Sequence, residues 1–155
     1  MARSNFHQLW DAAFIFPATP VSAAAPDLTV TLVLAGGSGS YYPGAFIAVS
    51  WTVANQGTAA SGSFYNRISL STTPYGTDIS LGNYPMASIA AGYSSSDAQV
   101  PQIPTSVSYG YYWVTVFCDG FQAITESNEY NNINHATSQI YVGPPPTICY
   151  SPSSG

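Results

Sequence analysis

The amino-acid sequence predicts an all-β protein, a seven-stranded sandwich with an N-terminal extension. After Pro26, apolar residues alternate with polar ones in short runs, which is the period of a strand with one buried face. Gly-, Pro- and Asn-rich turns separate these runs, and no helical period of useful length interrupts them. The predicted strands cover residues 28–34, 47–53, 64–71, 79–81, 95–100, 109–118 and 136–142.

The phase of the alternation predicts which side chains face the core. In the first run Leu28, Val30, Leu32 and Leu34 share one phase, so we expect all four on the same face. Applied to the other runs, the same rule gives the predicted core, which consists of Leu28, Val30, Val49, Trp51, Val53, Ile68, Leu70, Val114, Val116 and Ile140.

Three segments follow from this pattern. Residues 1–26 form an extension, residues 27–143 the sandwich, and residues 144–155 a Pro-rich tail, because three consecutive prolines from Pro144 cannot continue a hydrogen-bonded ladder. The extension has two interpretations. It is either the remnant of a signal peptide or an assembly strand, in which Phe14 and Phe16 alternate with Ile15 as they would in a strand.

The charge balance excludes several classes of partner. Arg3 and Arg67 are the only basic side chains apart from two histidines, the net charge is −5, and charged residues make up 6% of the chain. A phosphate backbone needs several Lys or Arg for its neutralisation, so we expect no nucleic-acid binding. We also expect no membrane insertion, because no run of about 18 apolar residues is present. Scarce charge favours self-association.

The run 109–118 is apolar on both faces. With Val114 and Val116 pointing inward, alternation places Tyr111, Trp113 and Phe117 on the outer face. Such an aromatic row either stabilises its own sheet through cross-strand pairs or is covered by another strand. In the second case Tyr111, Trp113 and Phe117 form an assembly surface, and Phe14, Ile15 and Phe16 are candidates to cover it.

Nothing in the sequence predicts catalysis. A nucleophile needs a base within hydrogen-bond reach, and the only histidines are His7 and His135, neither of them in a recognisable catalytic setting. We expect His135, at the start of the last strand, to be an ordinary exposed side chain. The protein is therefore predicted not to be an enzyme.

The segment 119–132 concentrates oxygen-bearing side chains. Asp119, Glu126, Asn128 and Glu129 are of the type that binds Ca²⁺, which takes six to eight oxygen ligands, although their spacing is not that of an EF-hand loop. Alternatively, the same residues form turns and accept hydrogen bonds from backbone N–H groups. Calcium is the only cofactor that the sequence allows for, and the turn-forming interpretation is favoured.

The two cysteines have different settings. Cys118 has inward phase in a strand and is predicted to be a small buried apolar side chain. Cys149 lies in the tail. A disulfide between them is compatible with an oxidising compartment but requires the tail to fold back over the sheet.

An ordered set of short motifs resembles a known family. The motifs are PDLTV at 26–30, WTVANQGTAA at 51–60, SLST at 69–72, DISLG at 78–82 and ESNEYNN at 126–132. In this order they resemble CARDB domains, the cell-adhesion-related domains of bacteria and archaea. The resemblance implies an immunoglobulin-like, seven-stranded sandwich without catalytic residues, found in secreted or surface proteins. The extension lies outside it, and Thr73 to Gly76 replace a stretch that is often more acidic.

Two functions therefore compete. The first is an extracellular adhesion or structural module at the cell surface, whose partners are copies of itself in a filament or other surface proteins. The second is a carbohydrate-binding accessory domain of a larger secreted protein, in which Tyr111, Trp113 and Phe117 stack on sugar rings. Whether those aromatic rings are open or covered discriminates between them.

Overall fold

The structure, a computed structural model, describes residues 23–36 and 39–147 of the chain. Nine β-strands and no helix occur in these residues, which confirms the predicted all-β class. The strands are β1 (Leu28–Ala35), β2 (Ser40–Tyr41), β3 (Val49–Asn55), β4 (Phe64–Ser71), β5 (Ile79–Met86), β6 (Ser94–Gln99), β7 (Gly110–Phe117), β8 (Ile133–His135) and β9 (Ile140–Val142).

The strands form two sheets. The first has the order β1-β3-β6, and the second has the order β2-β9-β7-β4-β5, with β8 paired to β7 as well. All pairings between strands are antiparallel except that of β2 with β9. The inner faces of the two sheets share one hydrophobic core, so the architecture is an immunoglobulin-like β-sandwich.

The predicted core is confirmed. All ten residues named from the strand phase are buried in one cluster, and Trp51 is the largest fully buried side chain. Strands contribute to the cluster from both sheets, for example Val53 from β3 and Val116 from β7. Side-chain alternation therefore predicted correctly which face of the major strands is inside.

The phase of β1 changes halfway along the strand. A β-bulge between Val30 and Leu32 shifts the register against β3. The inserted residue moves Val33 into the core, whereas Leu32 and Leu34 turn outward with 43% and 53% of their surface exposed. The expectation that all four apolar residues share one face is therefore wrong for Leu32 and Leu34.

Short strands are where the sequence and the structure differ most. The strands β2 and β8 were not predicted, and the predicted last strand 136–142 is extended only over β9. Strands of two or three residues contain no full alternation of apolar and polar residues, so periodicity cannot detect them.

Cys118 is buried, as predicted, and Cys149 lies outside the described residues.

Strand pairing gives the sandwich two distinct ends. Leu28 pairs with Asn55 at one end of the first sheet, and Ala35 pairs with Val49 at the other. At the Leu28 end the carbonyl oxygen of Ala25 accepts hydrogen bonds from the N–H groups of Thr58 (2.8 Å) and Ala59 (3.3 Å). The segment before β1 is therefore attached to the Leu28 end.

Candidate functional site

Asp119 begins the acidic segment at the Leu28 end. Its backbone has a left-handed φ of 47°, and its side chain is buried. One carboxylate oxygen accepts a hydrogen bond from the N–H of Ala123 (3.0 Å) and the other from the N–H of Ile124 (2.8 Å). Both oxygens are thus used to hold the turn that follows β7, as an Asp in such a turn commonly does.

Glu126 ties this segment to the first strand. One of its oxygens accepts a hydrogen bond from the backbone N–H of Leu28, and the other accepts one from the side-chain amide of Asn132. Burial raises the pKa of the Glu126 carboxyl above its ordinary value, and these hydrogen bonds oppose part of the rise. The carboxylate therefore joins β1 to the loop before β8 inside a largely buried polar cluster.

Glu129 and Asn128 also make local hydrogen bonds. Glu129 accepts one from the N–H of Glu126 (2.8 Å), and Asn128 accepts one from the N–H of Tyr130 (3.1 Å). Asp119, Asn128 and Glu129 thus make local hydrogen bonds of the turn-forming kind, whereas Glu126 bonds the distant Leu28 and the side chain of Asn132. Over the described part of the chain, no three His, Cys, Asp or Glu side chains converge in a way that would hold a metal ion.

Asn55 is a structural residue of this end that sequence reasoning did not single out. Its side-chain oxygen accepts hydrogen bonds from the N–H groups of Asp27 and Gly57, and its amide donates to the carbonyls of Ala59 and Ile89. Its position at the end of a strand indicated only a turn, because two of the four partners, Asp27 and Ile89, lie in segments distant in the chain.

The aromatic row on β7 is partly covered by its own sheet. Tyr111 is 64% exposed and packs against Tyr141 of β9, with ring centroids 5.0 Å apart. Trp113 is half-buried and packs edge-on against His135 of β8 at 4.6 Å. Phe117 is also half-buried. Of the three predicted interface residues on β7, Tyr111 presents the most open ring.

His135 is more than the exposed side chain that the sequence suggested. It is half-buried and lies between two aromatic rings, with Trp113 on one side and Tyr75 on the other at 4.7 Å. Beyond Tyr75 lies a groove of about 270 Å³, lined by Tyr75, Thr77, Phe117, Glu129, Tyr130, Asn132 and Ile133. Two of these residues, Tyr75 and Tyr130, are strongly exposed, and neither was predicted as a site residue.

The outer face of the sheet β1-β3-β6 carries no charged side chain along its two central rows. The pairing aligns Leu34 with Ser50 and Ala98, and Leu32 with Thr52 and Ser96. At the Ala35 end, a cleft of about 580 Å³ adjoins this face. Its lining includes Leu34, Ala48, Ser50, Ala98, Val100 and Ser138. The candidate assembly residues Phe14, Ile15 and Phe16 lie outside the described residues.

Fold and surfaces together define the class of immunoglobulin-like sandwich modules. Within that class, the CARDB family model matches residues 25–136, and the chain belongs to this family. CARDB is a non-catalytic, adhesion-related domain family, and the general role of the chain is that of an adhesion-related domain at the cell surface. The resemblance seen in the sequence is confirmed.

Solved structures show the same fold. The CARDB domain of a Pyrococcus furiosus protein, crystallised in complex with di-metal ions, is similar with a TM-score of 0.54 at 23% identity, over 77% of this chain and 90% of that chain. A domain of a candidate cell-surface protein from Methanosarcina acetivorans has a TM-score of 0.54 at 22% identity, over 75% and 92% of the two chains.

Two further observations concern curated relatives and membrane-spanning helices. A search of curated proteins finds no match to this chain. Across the described residues, no helix has the length and apolar character required to cross a membrane.

Proposed function

We propose that this protein is a self-assembling structural subunit at the cell exterior, in which copies associate into a surface filament. The observation that carries the proposal is the uncharged outer face of the sheet β1-β3-β6, where Leu32 and Leu34 are exposed beside an apolar cleft. Leu32 and Leu34 are poor partners for water, although Ser50, Thr52 and Ser96 add hydroxyl groups to the same face. No like charges along its central rows oppose the approach of a second copy.

One edge of this sheet is available for pairing. The edge of β1 is partly covered, because the side-chain amide of Asn134 donates to the carbonyl oxygen of Val30. Strand β6 forms the opposite edge, and Asp97 is its only charged residue. Soluble proteins commonly protect exposed edges with Lys, Pro or inward-pointing charges. Strand β6 contains no Lys or Pro, and its only such protection is Asp97, which pairs with the buried Trp51 and so has the inward phase. An extended segment of another copy is the occupant that this edge favours.

The positions of the two ends favour a head-to-tail arrangement. The extension meets the sandwich at the Leu28 end, whereas the cleft lies at the Ala35 end. The stretch from Phe16 to Ala25 reaches roughly 30 Å when extended. This is about the length of β1, whose eight residues span roughly 26 Å. Phe14, Ile15 and Phe16 of one copy are therefore able to reach the cleft of the next.

Truncation tests the proposal. The full chain should form fibres in negative-stain electron micrographs and sediment as large species. Deletion of residues 1–20 should leave a folded monomer with an unchanged circular dichroism spectrum. If the truncated chain associates as before, or the full chain stays monomeric at high concentration, the assembly role is wrong. The interpretation of residues 1–26 as a signal remnant then stands.

The alternative function is a carbohydrate-binding accessory domain with its platform on Tyr111, Trp113 and Phe117. His135 packs against Trp113, and Phe117 is half-buried, so the row does not present three open rings. This geometry disfavours a three-ring sugar platform along β7. The same protein without its extension should then bind no polysaccharide through Tyr111.

The acidic segment is best explained without a cation. The similar Pyrococcus furiosus domain was crystallised with di-metal ions. In this chain, both oxygens of Asp119 and both oxygens of Glu126 already accept hydrogen bonds from N–H groups. A calcium ion takes six to eight oxygen ligands, and these hydrogen bonds account for all four carboxylate oxygens without one. We infer that Asp119, Glu126, Asn128 and Glu129 brace the loop themselves.

A further inference from the structure

We propose that the groove between Tyr75 and Tyr130 binds a single uncharged sugar ring. The groove lies on the second sheet and its adjoining loops, away from the face proposed for assembly, and the proposal is independent of filament formation. Its volume of about 270 Å³ lies just below the range of drug-sized pockets, which is roughly 300–1,000 Å³. It therefore suits one ring rather than an oligosaccharide.

Tyr130 is held in place although its side chain packs on almost nothing. It is 97% exposed. Its backbone N–H donates to Asn128, while its neighbours Glu129 and Asn131 are fixed by hydrogen bonds to Glu126 and Asp27. The loop is thus braced on both sides of a residue whose ring makes no contribution to the core. A ring presented in this way is available to a ligand.

Tyr75 forms the opposite wall and is positioned at an energetic cost. Its φ of 64° lies in the left-handed region, where a bulky residue is a true outlier. The loop is fixed by a hydrogen bond from the Thr115 hydroxyl to the carbonyl of Gly76 (2.8 Å) and by one from the Ser71 hydroxyl to Asp78 (2.7 Å). Packing of Tyr75 against His135 sets the direction of its ring. Asn or Gly would suit this backbone better, so the strain is offset by contacts of the aromatic ring.

The lining chemistry selects a neutral sugar. Aromatic rings pack on the C–H face of a pyranose, and its hydroxyls need polar partners at the rim. Thr77 supplies a hydroxyl, and Glu129 supplies a carboxylate that accepts hydrogen bonds from hydroxyl groups. None of the lining residues is basic, so an anionic sugar would meet Glu129 without a compensating charge.

Saturation-transfer NMR tests the proposal on the full chain, because it observes the ligand and tolerates large assemblies. The probes are the methyl glycosides of glucose, galactose, mannose and N-acetylglucosamine, with methyl glucuronide as the anionic comparison. At least one neutral glycoside should show saturable binding. Tyr130→Ala should weaken that binding at least tenfold without changing stability, because this side chain is almost fully exposed. Tyr130→Phe should retain it.

The matched control is Tyr93→Ala, which removes an exposed tyrosine that does not line the groove. It should leave the affinity unchanged, and methyl glucuronide should bind more weakly than methyl glucoside. Binding of no neutral glycoside overturns the proposal. So does binding that Tyr130→Ala leaves intact or that Tyr93→Ala weakens equally. Sedimentation of the same variants separates this result from assembly, since Tyr130→Ala should leave the size distribution as it is.

Discussion

The carboxylate of Glu126 accepts a hydrogen bond from the backbone N–H of Leu28, a residue 98 positions earlier in the chain. The contact joins the first strand to the loop before β8, and both residues are buried. Because β1 is an edge strand with β3 on one side only, the Glu126 side chain supplies an acceptor that no second neighbouring strand provides. The acidic segment therefore acts as a clasp on the Leu28 end of the sandwich.

Removal of this clasp should destabilise the fold. In Glu126→Ala, the buried N–H of Leu28 and the amide of Asn132 both lose their acceptor, and each buried unsatisfied group costs about 1–3 kcal/mol. We expect the free energy of unfolding, measured by urea titration, to fall by at least this amount. Asp97→Asn is the control, because Asp97 bonds only the N–H of its neighbour Ala98. Equal stability of Glu126→Ala and the wild type would contradict the clasp.

The pH dependence of stability should carry the signature of Glu126. Because burial raises its pKa above the ordinary value of 4.5, the folded state holds this proton more tightly than the unfolded chain does. Its contribution to stability is fully present below pH 4.5 and is lost as pH rises through the folded pKa. We therefore measure the unfolding free energy of the wild type and of Glu126→Gln from pH 3 to 8. As the pH rises, the stability of the wild type should fall relative to that of Glu126→Gln. A difference independent of pH would contradict this.

Chelation tests whether the clasp needs a metal. A ligand that binds only the folded state raises the melting temperature by mass action, so a bound cation would be revealed when it is removed. We expect the same melting temperature with excess EDTA and with added calcium, because Asp119 and Glu126 are engaged by N–H groups. A melting temperature that falls with EDTA and recovers with calcium would reinstate the cation site.

The sequence predicted the core because each long strand repeats its alternation several times. Trp51 and Val53 lie on one face of β3 with Val49, and three repeats leave little choice of phase. A single bulge defeats the same rule in β1, where Leu34 turns outward and joins the proposed assembly face. Local periodicity carries no signal for an inserted residue.

The candidate sites were less predictable because they depend on contacts between distant segments. The oxygen-rich segment was visible in the sequence, but Leu28, whose N–H bonds one oxygen of Glu126, lies 98 positions away. The groove of Tyr75 and Tyr130 brings together the β4–β5 loop and the loop before β8. Both residues lie in loops, where no alternation of apolar and polar residues indicates the position of a side chain.

Cys118 should be chemically silent in the folded protein. Its side chain is fully buried, and burial together with the nearby charge of Glu126 raises the pKa of its thiol well above the ordinary value. The thiolate is the reactive form, so labelling requires unfolding. In a Cys149→Ser variant, a thiol reagent at pH 8 should label the native protein slowly and the urea-unfolded protein at once. Rapid labelling under native conditions would show that this end of the sandwich opens easily.

A charge on the outer face of the sheet β1-β3-β6 should block assembly. Leu34 is exposed and lines the cleft, so Leu34→Asp removes little from the core but places a carboxylate where an apolar segment of another copy is proposed to pack. Sedimentation should shift from large species to monomer, while the melting temperature stays within a few degrees of the wild type. Asn83→Asp adds the same charge at an exposed position of β5 in the other sheet and should assemble normally. The double variant, Leu34→Asp with residues 1–20 deleted, should show the same loss of assembly as either change alone, because both changes disrupt the same interface. Additive effects would show that the extension and the cleft belong to separate contacts. Normal assembly of Leu34→Asp would show that the outer face of the sheet β1-β3-β6 takes no part in assembly.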